Sequence, residues 1–165
     1  METCEECGFV YDLGGAAGAG TAVVDGATTM ADLVGDGGTD VRTRHRDGVW
    51  SPLEYACHVR DVLLVQRERV LAARREHRPA LSPMGRDERV EHDGYAEQDP
   101  QQVARQLTDA ARLFANVLSR LGDDDWDRPV IYNYPAPTER PLRWVAVHTV
   151  HEVQHHLLDV RRQIS

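Results

Sequence analysis

The sequence predicts an all-α domain: an up-down-down-up four-helix bundle with a long crossover between its second and third helices and an irregular N-terminal segment. Three observations carry this. Two stretches open on Ser51-Pro52 and Asp99-Pro100, the cap and first-turn signature of a helix, and keep a 3.6-residue apolar period behind it. The stretch from Trp144 to Arg162 is apolar along two sides, so protein must cover it on both. With 165 residues, 41% of them hydrophobic and only 6% aromatic, the chain can build one core of Leu, Val and Ala packed between helices. The division this implies is a Cys-bearing knuckle and Gly-rich tether over residues 1–20 and a bundle over residues 21–165.

The opening residues place Cys4 and Cys7 in CEECGF, half of a zinc knuckle closed by Gly8. A Cys4 site needs a second pair, and the remaining cysteine, Cys57, falls in mid-helix. The pair is therefore either a metal clip completed by histidines or by another subunit, or a vestigial turn. On this reading it is neither catalytic nor needed for the bundle to fold. Residues Gly14 to Gly20, GGAAGAG, are expected to lack regular structure, because each Gly costs about 1 kcal/mol relative to Ala in a helix. A weakly amphipathic first helix follows over roughly Thr21 to Val34, flanked by Gly35, Gly37 and Gly38.

The second helix starts at Ser51, with Pro52 in its first turn and Glu54 closing a capping box, and ends before Pro79. Arg60, Arg67 and Arg74 form its polar stripe, while His58 points inward beside Tyr55, Val62 and Val65. The connection from Pro79 to Gln98 spans on the order of 60 Å when extended, enough to run back along a helix of about 40 Å. The third helix, capped by Asp99, turns Val103, Leu107, Ala110, Ala111, Phe114, Val117, Leu118 and Leu121 inward and ends at Gly122. Its inward face holds no ionisable group and supplies packing alone. Trp126 to Pro141, with four prolines and Tyr132-Asn133-Tyr134-Pro135, reads as a fixed-shape loop into the last helix at about Pro141.

Net charge is −8, and all 19 basic residues are Arg, so binding to a phosphate backbone is not expected. METCEECGF has no basic region or apolar core, and the longest aliphatic run is Val62 to Val65. The expectation is a cytoplasmic protein outside any membrane. An odd count of three cysteines argues against a disulfide framework.

Chemistry concentrates in HTVHEVQHHLLDV, which holds four of the eight histidines: His148, His151, His155 and His156. At about 100° per residue, His148, His151 and His155 lie within about 60° of one another. His151 and His155 have the i, i+4 spacing that lets two imidazoles reach one ion at about 2.0–2.1 Å. The letters also spell HExxH, the zinc-protease motif with Glu152 as general base. The rest of that pattern is missing, since Leu158 and Arg161 stand where its extended form carries Gly and a third His. The third ligand must come from upstream, and His58 is the inward histidine available. The predicted metal set is His58, His151 and His155, with His148, Glu152, Asp61, Arg69 and Asp159 as candidate supporting groups. No catalytic residue beyond the ligands is predicted.

WSPLEYACHVRDV together with HTVHEVQHHLLDV resembles the DinB/YfiT-like metalloenzyme superfamily, in particular small actinobacterial members related to mycothiol-dependent enzymes. The resemblance covers about Val49 to Gln163, and the CEECGFVYD opening is similar to the start of many proteins in that branch. It implies an up-down-down-up bundle with zinc or nickel on His58, His151 and His155. It also implies open positions on the ion where a low-molecular-weight thiol such as mycothiol binds as cosubstrate. The first expectation is thus a metal-dependent thiol S-transferase or thiol-dependent isomerase acting on a small molecule. A metal-dependent hydrolase that activates water, or a non-catalytic metal-bound stress or ligand-binding module, is the alternative.

Overall fold

The protein is described here as a computed structural model covering residues 1–164. Its long helices are α1 (Ala19–Gly35), α2 (Pro52–Arg75), α4 (Pro100–Ser119) and α5 (Leu142–Ile164), with a short α3 (Arg86–His92) in the crossover. An antiparallel hairpin of β1 (Pro129–Asn133) and β2 (Pro137–Pro141) leads into α5. The architecture is mostly helical, as expected, with this small sheet added.

α1 and α2 each pack on both α4 and α5. The core between them is made by Val23, Ala27, Met30 and Val34 of α1 and by Leu53, Leu63 and Val70 of α2. Leu107 and Phe114 of α4 and Val145, Val153 and Val160 of α5 complete it. Each fully buried aliphatic or aromatic side chain contributes about 1.5–3 kcal/mol of transfer free energy, and this closes the bundle around α5.

The caps form as the sequence dictates. The Ser51 hydroxyl accepts from the Glu54 amide, and the Glu54 carboxylate accepts from the Ser51 amide at 2.8 Å. Asp99 accepts from the Gln102 amide at 2.8 Å.

Four expectations change. The Gly-rich stretch is ordered: Asp12 caps a 3-10 turn over Leu13–Gly18, and α1 begins at Ala19. Further along α1, glycine's low propensity is offset by close packing. A Cβ on Gly26 would meet Val153 Cγ1 at 2.7 Å, and one on Gly35 would meet Ala104 at 3.2 Å, so α1 lies nearer to α4 and α5 than side chains would allow. The crossover, read only as a long connection, carries structure of its own, holding α3 and burying Tyr95. Arg60 is therefore no part of a solvated stripe. The crossover covers it, and it donates to Asp61 at 2.9 Å, Gln98 at 2.7 Å and Gln106 at 2.8 Å. The proline-rich loop is the hairpin, with prolines at strand ends where no ladder donor is missed. Pro79–Leu81 pairs alongside it, through the Ile131 amide to the Pro79 carbonyl and the Leu81 amide to the Ile131 carbonyl, both at 2.9 Å.

The N-terminal residues form a hairpin lying on α5. Tyr11 donates its amide to the Glu2 carbonyl, Cys4 to Phe9 and Gly8 to Cys4, with Gly8 in the left-handed region at φ 75°.

Two outcomes test this packing. Gly26→Ala should destabilise the fold by about 1–3 kcal/mol through overpacking, and Val153→Ala in the same chain should recover part of that loss. Chemical denaturation of the two single variants and the double variant gives the coupling. Glu54 offers a pH test. Burial pushes its carboxyl up, but the Arg44 guanidinium and the Ser51 amide overcome that and hold it below its usual 4.5. With a depressed folded pKa, its stabilisation is present above 4.5 and lost as pH falls through the lower folded value. Glu54→Gln should cost about 1 kcal/mol at neutral pH, Arg44 being half exposed, and the gap to wild type should close below about pH 4.

Candidate functional site

The chemistry-bearing side chains gather where α5 faces α2 on one flank and the N-terminal hairpin on another. His148 is buried among aromatic rings. Its ring stacks on Trp144 at 4.6 Å, Tyr132 meets it edge-on at 5.4 Å, and its Nδ1 shares a hydrogen bond with the Tyr11 hydroxyl at 2.9 Å. Burial lowers its pKa to about 4, so it is neutral at pH 7.

One turn on, the Glu152 carboxylate sits amid four imidazoles. Nε2 of His148, Nδ1 of His151 and Nε2 of His156 are each 3.6 Å away, and Nε2 of His58 is at 3.9 Å. These separations are too long for direct hydrogen bonds. Burial pushes the Glu152 carboxyl up, but the imidazoles around it, His151 and His156 foremost, more than compensate and hold it well below the usual range. It is an anion facing ring nitrogens across a gap.

Two clusters that share no residue divide these groups. In the first, the donor atoms of His58, Glu152 and His156 lie within 4.8 Å of one another. His58 comes from α2 and is 2% exposed; Trp50 packs on its ring at 5.2 Å, and Tyr55 stacks on His156 at 5.2 Å. Asp159 Oδ2 is 3.0 Å from His156 Nδ1, which turns Nε2 of that ring toward Glu152. Burial lowers the His156 pKa, but Asp159 and Glu152 overcome this and raise it to about 9. His58, where burial dominates, is shifted down.

In the second cluster, Cys4, Cys7, His151 and His155 place their donor atoms within 4.8 Å of one another. Cys4 Sγ is 3.9 Å from His155 Nδ1. Burial pushes the Cys4 thiol up, but the Cys7 amide and the nearby His151 imidazole lower its pKa to about 6, while burial and Cys4 raise that of Cys7. Both ring nitrogens of His151 are buried without a hydrogen-bond partner. Phe9 packs on His151 at 5.3 Å and edge-on to Tyr11 at 5.2 Å, which seats the hairpin. Two further groupings, His148–His151–Glu152 and His155–His156–Asp159, fall within the same limit but draw every ligand from α5.

The predicted ligands are thus distributed. His151 and His155 come together, as their spacing requires, but with the two cysteines. His58 meets Glu152 and His156 instead. Of the supporting groups, His148, Glu152 and Asp159 are at the site. Asp61 is not: it accepts from Tyr95 at 2.6 Å and pairs with Arg60 and Arg89 on the crossover side of α2. Arg69 bonds the Tyr132 hydroxyl at 3.0 Å and the Ser82 carbonyl at 2.6 Å, reaching His148 only through the Tyr132 ring. His156, left out of the predicted ligand set, lies among the donors, and the cysteines meet histidines, one of the two completions open to a clip. The signal for both was in HExxHH, whose two i, i+4 pairs, 151/155 and 152/156, point about 100° apart.

The fold is shared with YfiT from Bacillus subtilis, described as a probable metal-dependent hydrolase with an unusual four-helix bundle topology. The TM-score is 0.78 over 99% of this chain and 93% of that one, at 16% identity. No curated protein matches the sequence. The family model of the DinB superfamily matches residues 32–160, a span that includes α2 with His58 and every histidine of α5. On that match over most of its length, the chain belongs to the DinB superfamily.

Proposed function

We propose that this protein is a divalent-metal-dependent enzyme acting on a small molecule, with its ion held by His58, Glu152 and His156 in an up-down-down-up bundle. The observation that carries the reading is the convergence of two imidazole nitrogens and one carboxylate, from two helices, on a common gap. Two histidines and a carboxylate are a donor set of catalytic zinc sites, where three protein ligands leave a position open. Nickel suits the same nitrogens. A cation there would lower the pKa of a coordinated water or thiol and so provide a nucleophile at neutral pH.

The protein's own groups do the rest. Asp159 fixes the tautomer of His156 by accepting from Nδ1, leaving Nε2 free to ligate. Trp50 and Tyr55 wall the site beside His58 and His156. The Glu152 side chain is 21% exposed, and that opening admits a reactant. His148, neutral and held by Tyr11, supports the far side of Glu152 without competing for protons near pH 7. A hydrolase is the reading most in keeping with this donor set, and the fold shared with a probable metal-dependent hydrolase supports it. Mycothiol, the cosubstrate that the sequence resemblance implies, would take the same open position.

Metal analysis and turnover of an activated ester, with and without mycothiol, test this. His156→Ala and Glu152→Gln should each abolish metal-dependent turnover, whereas His155→Ala should leave the core ion in place. Retention of the core ion in His156→Ala together with its loss in His155→Ala would return the ligand set to His58, His151 and His155. Turnover that requires mycothiol would make the enzyme a thiol transferase rather than a hydrolase. Asp159→Asn should weaken metal affinity or activity by about 10–100-fold, measured by competition with a chromogenic chelator.

A further inference from the structure

We infer a second metal site: Cys4, Cys7, His151 and His155 form a closed Cys2His2 site for a zinc ion that pins the N-terminal hairpin to α5. This goes beyond the core site and does not depend on it, since the two share no ligand.

The geometry is that of a knuckle already folded. Cys4 and Cys7 sit on a turn held by the Gly8 amide to the Cys4 carbonyl at 2.8 Å and the Cys4 amide to the Phe9 carbonyl at 2.9 Å. Gly8 supplies the left-handed residue that closes it. Both thiols are free. They face a helical i, i+4 histidine pair, and all four donors lie within 4.8 Å. Zinc bonds of about 2.3 Å to sulfur and 2.0–2.1 Å to nitrogen put tetrahedral donors roughly 3.3–3.8 Å apart. Drawing these four onto one ion takes shifts on the order of 1 Å.

His151 supplies an independent sign. It is 9% exposed, and neither ring nitrogen has a hydrogen-bond partner. A buried imidazole with two idle nitrogens is costly unless one of its lone pairs binds something else. His155 turns Nδ1 toward Cys4, while Nε2 faces Glu6 at 3.4 Å and Asp159 at 3.7 Å, the carboxylate backing that ligating histidines favour. Two thiolates neutralise a +2 ion and four donors fill a tetrahedron, so this site holds structure rather than performing chemistry. Soft thiolates select zinc.

Loading the full-length reduced protein with cobalt(II) tests the assignment. The expected result is thiolate-to-cobalt charge-transfer absorption in the near ultraviolet that is absent from the Cys4→Ser/Cys7→Ser double variant. That variant should also hold one equivalent of zinc fewer than wild type with its helicity kept, because neither cysteine lies in a bundle helix. His58→Ala should keep the charge-transfer band whatever happens to the core ion, so failure of the core reading and failure of this one are distinguishable. A cobalt protein without the band would overturn the assignment. So would equal zinc content in wild type and the double variant, or a Cys4–Cys7 disulfide whose reduction restores no metal.

Discussion

The constraint on which the site depends is the Glu152 carboxylate. An anion so enclosed loses most of its hydration, a cost of several kcal/mol unless positive charge answers it. Four imidazoles surround it, yet His148 and His58 are driven toward the neutral form by their own burial, so the answer falls to His151 and to His156, the latter backed by Asp159. A proton on His156 and a cation between His156, Glu152 and His58 are alternative ways to meet the same demand. The apolar flank of α5 supplies the fixed frame, with Val153 seated against Gly26 of α1.

That frame also explains which elements could be read from the sequence. α2 and α4 announce themselves because their caps are local: Ser51 with Glu54, and Asp99 with Gln102, lie three residues apart and form whatever the rest of the chain does. α1 was harder because its glycines are unfavourable for an isolated helix and favourable for one that must lie close to two neighbours. Propensity sees the first effect, while tertiary packing decides the second. The hairpin β1–β2 was hidden for a related reason. Its prolines read as loop, yet they occupy strand ends, and Val130 and Tyr132 turn inward between them. Arg60 looked solvated because the crossover that buries it brings Gln98 and Gln106 from about forty residues away.

The same limit governed the site. Periodicity identified the histidine-rich helix, the inward His58 and the i, i+4 spacing, all of which follow from local geometry. It could not apportion the four donors of HExxHH, because the motif satisfies that spacing twice with an offset of one residue, and about 100° separates one flank from the other. Which flank faces α2 is decided by the whole bundle. The partner of the cysteine knuckle was equally out of reach: Cys4 and His155 meet across 151 positions, and half a knuckle carries no address for its other half.

Once the flanks are assigned, charge distinguishes them. Two thiolates and two imidazoles would leave a divalent ion neutral and saturated, whereas two imidazoles and one carboxylate would leave it with net positive charge and an open side. The first arrangement suits a clip and the second suits catalysis. The two are coupled through geometry rather than through shared ligands, since residues 151 and 155 alternate with 152 and 156 on consecutive turns. Fixing one pair fixes the rotation of α5 about its axis and therefore the aim of the other. The hairpin adds a second constraint, because Tyr11 lies only four residues beyond the turn at Cys7 and holds His148 behind Glu152. An N-terminal segment that looked like a dispensable tether thus sets the orientation of the side chains on which the core site relies.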